Sequence, residues 1–190
     1  MKCKICKKDF TKTKPLQVTC DYLCFWELAQ KKIDEKRKKD WDAEKKIRRE
    51  KLMTLSDYEK LAKKSFQKWI RMRDEKLPCI SCGKSNCADW AAGHYFPAGV
   101  YSGLIFSEVN CHKQCNSYCN MFLSGNVANY RIGLVSRIGL EKVEELEASK
   151  DKLRTYKYTK DELIGIRIEY DRRIKFKILH IDLTLNEDEK

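Results

Sequence analysis

The longest unbroken pattern in the chain is a polar one. From Asp21 to about Leu52 there is no proline or glycine, and "ELAQKKIDEKRKKDWDAEKKIRREKL" is dense in strong helix formers with few apolar positions. It predicts one long helix, polar nearly all round, that lies exposed between modules or along a phosphate backbone. The absence of a/d heptads disfavours a coiled coil. A second helix is expected from about Ser56, where Ser56 and Glu59 have capping-box spacing, to the residues before Pro78. There Tyr58, Leu61, Ala62, Ser65, Phe66, Trp69 and Ile70 recur at i, i+3, i+4 and i+7, a face to be buried, while Lys60, Lys63, Lys64, Lys68 and Arg71 line the polar side.

The pattern then shortens. "ADWAAGHYF" reads as a strand, "FPAG" as a turn and "SGLIFSE" as the return strand. "NVANYRIGLVSRIGLEKVEELEASK" predicts two short helices broken near Gly139. "TKDELIGIRIEYDRRIKFKIL" opens with Thr159 and Glu162 as a capping box and repeats Leu163, Ile166, Tyr170 and Ile174 at helical spacing. His180 reads as structural, and the acidic "LNEDEK" end as frayed. The fold class is α+β, mostly helical.

Ten cysteines change this picture. Cys3, Cys6, Cys20 and Cys24 form a C-x2-C and a C-x3-C pair, and Cys79, Cys82, Cys115 and Cys119 repeat the arrangement with a longer loop. Paired thiolates at this spacing are the ligand pattern of a tetrahedral structural zinc site, and zinc supplies folding free energy that so short a segment lacks. Cys87 and Cys111 fall outside the pairs and read as small buried hydrophobes or spare thiols. The organisation expected is a zinc finger over 1–28, a basic helical linker over 29–55, and a domain over 56–190. That domain divides into a helix at 56–77, a cysteine-stapled core at 78–126 and helices over 127–180.

A polar, basic start, "MKCKICKKDF", and so many cysteines point to metal binding in a reducing cytoplasm rather than to disulfides in a secreted protein. No apolar run is long enough to cross a bilayer. The formal charge is +12, and residues 1–78 carry 24 Lys and Arg against 13 Asp and Glu. Such a balance suits a polyanion, and DNA is the partner expected. The residues placed on it are Lys31, Lys32, Lys36, Arg37, Lys38, Lys39, Lys45, Lys46, Arg48 and Arg49 of the polar helix, with Lys113 and Arg131.

Within the second quartet the order is Cys-x2-Cys, His94, Asn110, the last cysteine pair, and Asn120 directly after it. This resembles the zinc-stapled HNH endonucleases with their ββα-metal fold. More closely, "LPCISCG", "AGHY", "NCHKQC", "CN", "SGN", "YR" and "SRIG" resemble the NinG (Rap) recombination proteins of lambda-like phages and prophages, over nearly the whole chain. The resemblance implies a metal-dependent, structure-selective endonuclease of branched recombination intermediates, D-loops and Holliday-type junctions, encoded by a phage or prophage and acting in the bacterial host cytoplasm. His94 would be the general base, Asn110 would orient or brace it, and Asn120 would bind a Mg2+ or Mn2+ ion in place of the usual final histidine. Two features depart from the family pattern. The last cysteine pair encloses three residues rather than two, and Ala91 and Ala92 offer no oxygen where relatives carry polar groups. His112, then Asp89 or Asn126, are the substitutes for the missing ligand or a phosphate contact.

A histidine near neutral pH can deprotonate water while a divalent cation stabilises the scissile phosphate and the departing 3′ oxygen. Two other classes stay open: a non-catalytic zinc-ribbon DNA-binding protein, and an adaptor that binds phage or host recombination proteins. Selection of branched DNA would require the basic helix and the catalytic module to contact different arms at once, or a homodimer to span the junction.

Overall fold

The structure, a computed structural model, describes the backbone of residues 1–187 and side chains through Leu179. The readings of His180 and of the end of the acidic tail lie outside the described residues. The chain divides into two compact units, Met1–Met53 and Thr54–Lys190.

In the first unit, residues 1–20 fold against the start of helix α1 (Tyr22–Lys51). The Asp21 carboxylate accepts the Cys24 amide at 2.7 Å and so starts the helix at the fourth cysteine. From Lys31 to Lys51 every residue is exposed, the expected result of a sequence polar all round. The expected boundary between finger and linker at 28/29 falls inside this single helix.

The second unit begins with α2 (Leu55–Arg73). Its cap is not the Ser56/Glu59 pair expected. Thr54 and Asp57 form the capping box, with the Asp57 carboxylate accepting the Thr54 amide at 3.0 Å and the Thr54 hydroxyl accepting the Asp57 amide at 3.3 Å. Glu59, one turn inside, pairs instead with Lys63. The helix also stops earlier than residue 77, because Asp74 turns its side chain away into the domain and Pro78 excludes helical geometry just before it. Strand β1 (Trp90–His94) pairs antiparallel with β2 (Cys111–Cys115), Gly93 opposite His112 and His94 opposite Cys111.

The expected return strand, "SGLIFSE", is thus corrected to "CHKQC". Ser102–Leu104 forms one 3-10 turn, because Gly103 packs so closely on the Leu153 carbonyl and on Tyr156 that a side chain would collide with them. After β2 comes a π-helical segment, Asn116–Phe122, then α3 (Val127–Ile138), α4 (Leu140–Ser149) and α5 (Lys160–Glu187). The break at Gly139 (φ 89°) and the Thr159/Glu162 cap both occur as the sequence indicates.

A two-stranded hairpin is marginal alone and needs cover. Helices α2 and α5 supply one face, where Phe66, Ile70, Cys111 and Tyr170 form a core with Ala92 and Ile166 against it. Ile80, Tyr95, Leu104, Tyr130, Leu134, Val143 and Leu146 form the other, contributed largely by α3 and α4. The buried Tyr130 hydroxyl donates to the Gly93 carbonyl at 2.9 Å, and Gly133 lies so close to Ile80 that a β-carbon would meet its carbonyl oxygen.

A charged network missing from the sequence reading joins these layers. Asp74, 2 % exposed, takes two bonds from Arg73 (2.8 and 3.0 Å) and the Lys113 amide at 2.9 Å, with His112 and Arg137 each at 3.5 Å. Arg73 continues to the Glu108 and Cys111 carbonyls, and Glu108 also receives Trp69, Tyr170 and Arg173. Burial alone would push the Asp74 carboxyl up, but the hydrogen bonds from Arg73 and the Lys113 amide, with the Arg73 charge, outweigh it and hold it well below the usual carboxylate range.

Removing the Asp74 charge leaves the buried Arg137 without a carboxylate and strips Arg73 of two hydrogen bonds, so Asp74→Ala should cost about 3–5 kcal/mol in urea unfolding at neutral pH. Because the folded carboxyl is depressed, its contribution is present above about pH 4 and is lost as pH falls towards the folded value. The wild type should therefore lose more stability on acidification than the variant; equal losses would rule this assignment out.

Candidate functional site

The two cysteine pairs that open each unit's metal cluster are built alike. In the first, the Cys3 amide donates to the Lys8 carbonyl at 2.9 Å and the Lys7 amide to the Cys3 carbonyl at 3.2 Å; in the second, the Cys79 amide donates to Lys84 at 2.9 Å and Gly83 to Cys79 at 3.0 Å. The residue after the second cysteine is left-handed in both, Lys7 at φ 63° and Gly83 at φ 69°. Only the second uses the residue for which this conformation is free of strain. Each turn aims two sulfurs and several amide hydrogens at one point.

The sulfurs of Cys3, Cys6, Cys20 and Cys24 lie within 4.8 Å of one another, as do those of Cys79, Cys82, Cys115 and Cys119. Observed separations of 3.5, 3.6 and 3.7 Å approach the edge of about 3.8 Å required by a tetrahedron with zinc–sulfur bonds of about 2.3 Å. Both donor sets fit zinc. Desolvation pushes the Cys3 thiol up, yet amides of Ile5, Cys20 and Cys6 bring it down to about 6. Cys79 is likewise lowered against its burial, chiefly by the Cys115 amide at 3.3 Å. Such donors favour the thiolate that a metal needs.

The expected substitutes for a catalytic ligand serve this core cluster or the charged network. Asp89 accepts from Asn116 (2.8 Å), the Ser117 amide (3.2 Å) and the Ser117 hydroxyl (2.9 Å), fixing the start of the π-helical segment. Asn126, left-handed at φ 48°, directs its amide at the Cys119 sulfur, 3.8 Å away. His112 is buried, with Nε2 on the Val109 carbonyl at 3.2 Å and Nδ1 against Arg73 at 2.9 Å. Burial lowers its pKa, so the ring is neutral and both nitrogens are engaged by protein partners. Cys111 is a buried core thiol, pushed up by burial. Cys87 lies beside the second cluster, where it packs with Cys82 and Trp90 against Cys79, Cys115 and Cys119.

His94 has a different environment. Its Nε2 is 2.9 Å from the Ile105 carbonyl, and since a carbonyl only accepts, Nε2 carries the hydrogen and Nδ1 keeps the lone pair. Burial first, then the Lys63 charge, lowers its pKa against the Ile105 bond, so the ring is neutral at neutral pH. Asn110 is fully buried and binds the loop that carries Ile105: Oδ1 accepts the Phe96 amide at 2.8 Å, and Nδ2 donates to Phe96 and Leu104 carbonyls at 3.0 and 3.2 Å.

Asn120 stands apart from this pair. His94 and Ala92 face α2, where the Phe66 ring lies 6.4 Å from the imidazole, whereas Gly93 makes room for Gln114, whose amide reaches Ser81 and Gly125 on the opposite face. Asn120 belongs to the π-helical segment, where it donates to Asn116 at 3.2 Å and its carbonyl accepts the Gly125 amide at 2.9 Å. No hydrogen bond or ring contact joins it to His94 or Asn110 among the described residues. Nor do the described residues bring a third group of His, Cys, Asp or Glu together.

Of the expected DNA contacts, those on α1 stand in solvent. Lys31, Arg37 and Arg48 pair loosely along the helix with Glu27, Asp34 and Glu44. Lys113 instead donates to the Glu75 carbonyl at 2.8 Å and lies 4.2 Å from the Trp90 ring centre, and Arg131 is paired with Glu147.

Taken together, these features define a two-unit protein with a cysteine cluster able to hold a metal ion in each unit and a basic helix. The family model described as "Bacteriophage Lambda NinG protein" matches residues 1–178, and the chain belongs to the NinG family. It is 42% identical to "Protein ninG" of Escherichia phage lambda over 130 residues, 68% of this chain and 62% of that protein. With "Protein ninG" of Escherichia phage 933W it shares 37% identity over 191 aligned positions, 92% of each chain, and with that of Salmonella phage P22 40% over 130. No solved structure matches the chain. No helix among the described residues is long and apolar enough to cross a membrane.

Purified under reducing conditions, the wild type should carry two zinc ions per chain by elemental analysis, Cys82→Ser and Cys20→Ser one each. Cys87→Ser should keep both; loss of an ion in that variant would make Cys87 a ligand in place of one of the four.

Proposed function

We propose that the chain is a metal-dependent endonuclease that hydrolyses phosphodiesters in branched recombination intermediates such as D-loops and Holliday-type junctions, in the cytoplasm of a phage-infected or lysogenic bacterium. The observation that carries the proposal is His94. Its tautomer is set by a carbonyl, its lone pair is on Nδ1, its pKa is lowered, and the loop that orients it is braced by Asn110. This is the equipment of a general base.

In the proposed reaction Nδ1 of His94 takes a proton from the attacking water, the new P–O bond forms, and the bond to the 3′ oxygen breaks. A Mg2+ or Mn2+ ion, when bound, stabilises the phosphate and the departing oxygen. Mg2+ commonly keeps several waters and binds substrate phosphates with one or two protein oxygens, so a site lacking the oxygens absent at Ala91 and Ala92 is compatible with an ion that enters with DNA. Asn120 is the protein oxygen assigned to it. Zinc at the cysteine clusters stays structural, since four thiolates leave no open position.

A second reading, zinc-stapled DNA binding without cleavage, is favoured by the separation of Asn120 from His94. Metal-dependent cleavage of linear, flap, D-loop and four-way DNA decides between them. His94→Ala should lower the cleavage rate by about 10²–10⁴-fold with DNA affinity retained. Because burial lowers the His94 pKa, the acid limb of the wild-type rate should fall below about pH 6.5, with a plateau at neutral pH. Absence of wild-type cleavage on the whole panel would leave the binding protein.

A further inference from the structure

The first turns of α1 carry a stripe that the polar helix conceals. Tyr22, Phe25, Ala29 and Lys32 recur at i, i+3, i+7 and i+10, which places them on one face. That face enters no core: Tyr22 is 72% and Phe25 57% exposed. Opposite it runs the loop of residues 13–19, held in shape by Gln17, which accepts the Thr13 amide and hydroxyl at 2.8 and 2.9 Å and donates to the Thr19 carbonyl at 2.9 Å. Between loop and helix lies a groove of about 810 Å³, with Leu16, Tyr22, Phe25 and Leu28 on its walls and Lys14 and Lys32 at its edge.

The composition of the groove narrows its ligand. Asp21 also borders it, but that carboxylate is committed to the Cys24 amide. The unit Met1–Met53 holds 17 Lys and Arg against 9 Asp and Glu, and the cations continue from Lys32 along α1 for about 30 Å. A track of this length suits a regularly charged polyanion better than a short acidic peptide. Duplex DNA would satisfy the lysines but keeps its base faces stacked inside, leaving the two rings without partners. An unpaired strand offers both phosphates and open base faces.

We propose that this groove binds single-stranded DNA, stacking unpaired bases on Tyr22 and Phe25 while Lys14 and Lys32 neutralise the flanking phosphates. The inference deepens the DNA-directed function proposed above: it assigns the N-terminal unit to the unpaired strand that a branched substrate exposes. It does not depend on cleavage, so an inactive His94 site would leave it standing.

The test is fluorescence anisotropy of the full, zinc-loaded chain without magnesium, with a labelled oligothymidylate and a duplex of the same length. Replacing both rings, Tyr22→Leu with Phe25→Leu, keeps apolar bulk and removes the stacking faces. It should weaken oligothymidylate binding about tenfold or more and duplex binding far less. Tyr22→Phe should bind as the wild type does. Lys14→Gln with Lys32→Gln should flatten the dependence of log affinity on log salt by about 1.4 for the single strand. Zinc content and helical circular dichroism confirm that each variant is folded. Unchanged single-strand affinity in the double leucine variant, equal losses on both DNAs, or a wild type that prefers the duplex would each overturn the assignment; the first would leave the groove to a protein ligand.

Discussion

The C-terminal unit depends on one buried carboxylate. Asp74 is the point where the end of α2, the second strand and α3 meet, through Arg73, the Lys113 amide and the facing Arg137. None of these contacts is a surface ion pair of the kind that contributes little. Each cation is held by a further carbonyl or carboxylate, Arg73 by Glu108 and Cys111 and Arg137 by the Pro78 carbonyl at 3.0 Å, so the charges are desolvated together; Arg137 Nη1 alone makes no hydrogen bond among the described residues and has only the Asp74 charge, 3.5 Å away. The Arg137 bond reaches the residue just before the Cys79 turn. The same carboxylate that stops α2 thereby positions the first metal-binding turn and the strand that brings Cys115 to it.

The cysteine clusters address a shortage that this network cannot meet. A sheet of two five-residue strands is small, and most of residues 1–20 is exposed, so a metal at each cluster would help to hold one conformation. The matching hydrogen bonds at Cys3 and Cys79 show two sequences, "CKICKK" and "CISCGK", reaching one local geometry. At Lys7 that geometry is a left-handed residue without glycine's freedom, a local strain of about 1 kcal/mol or more that metal binding can offset. The shared turn is the sense in which the two units repeat one another.

The cysteine spacing, α1, the break at Gly139 and the Thr159 cap were legible because each rests on local chemistry that a few neighbouring residues determine. The return strand was not. "CHKQC" is buried along its whole length, so it has no alternation, and its polar residues pair internally: His112 and the Lys113 amide with the Asp74 network, Gln114 with Ser81 and Gly125. The same long-range pairing occupies Lys113 and Arg131, which looked like phosphate contacts, and places His112 among partners rather than at an open ligand position. At Thr54 the error was smaller. Two overlapping polar triplets could cap α2, and Asp57 reaches back to Thr54 whereas Glu59 has Lys63 one turn ahead.

The candidate active centre divides along the same line between local and distant. His94 and Asn110 act as a unit because Asn110 uses its whole amide on Phe96 and Leu104, adjacent to the carbonyl that fixes the imidazole. An aspartate there would lose two donated hydrogen bonds, and a leucine would leave a buried carbonyl unpaired; the asparagine is a requirement of the loop itself. Asn120 obeys a different constraint, set by the Cys119 turn and its bond to Asn116. In the proposed reaction such a division would leave the base oriented by the fold alone while the cation depended on what the substrate brings. In that arrangement the phosphate to be cut would help to assemble the centre that cuts it, and the alanines at 91 and 92 would remove metal affinity from the free protein without disturbing the base.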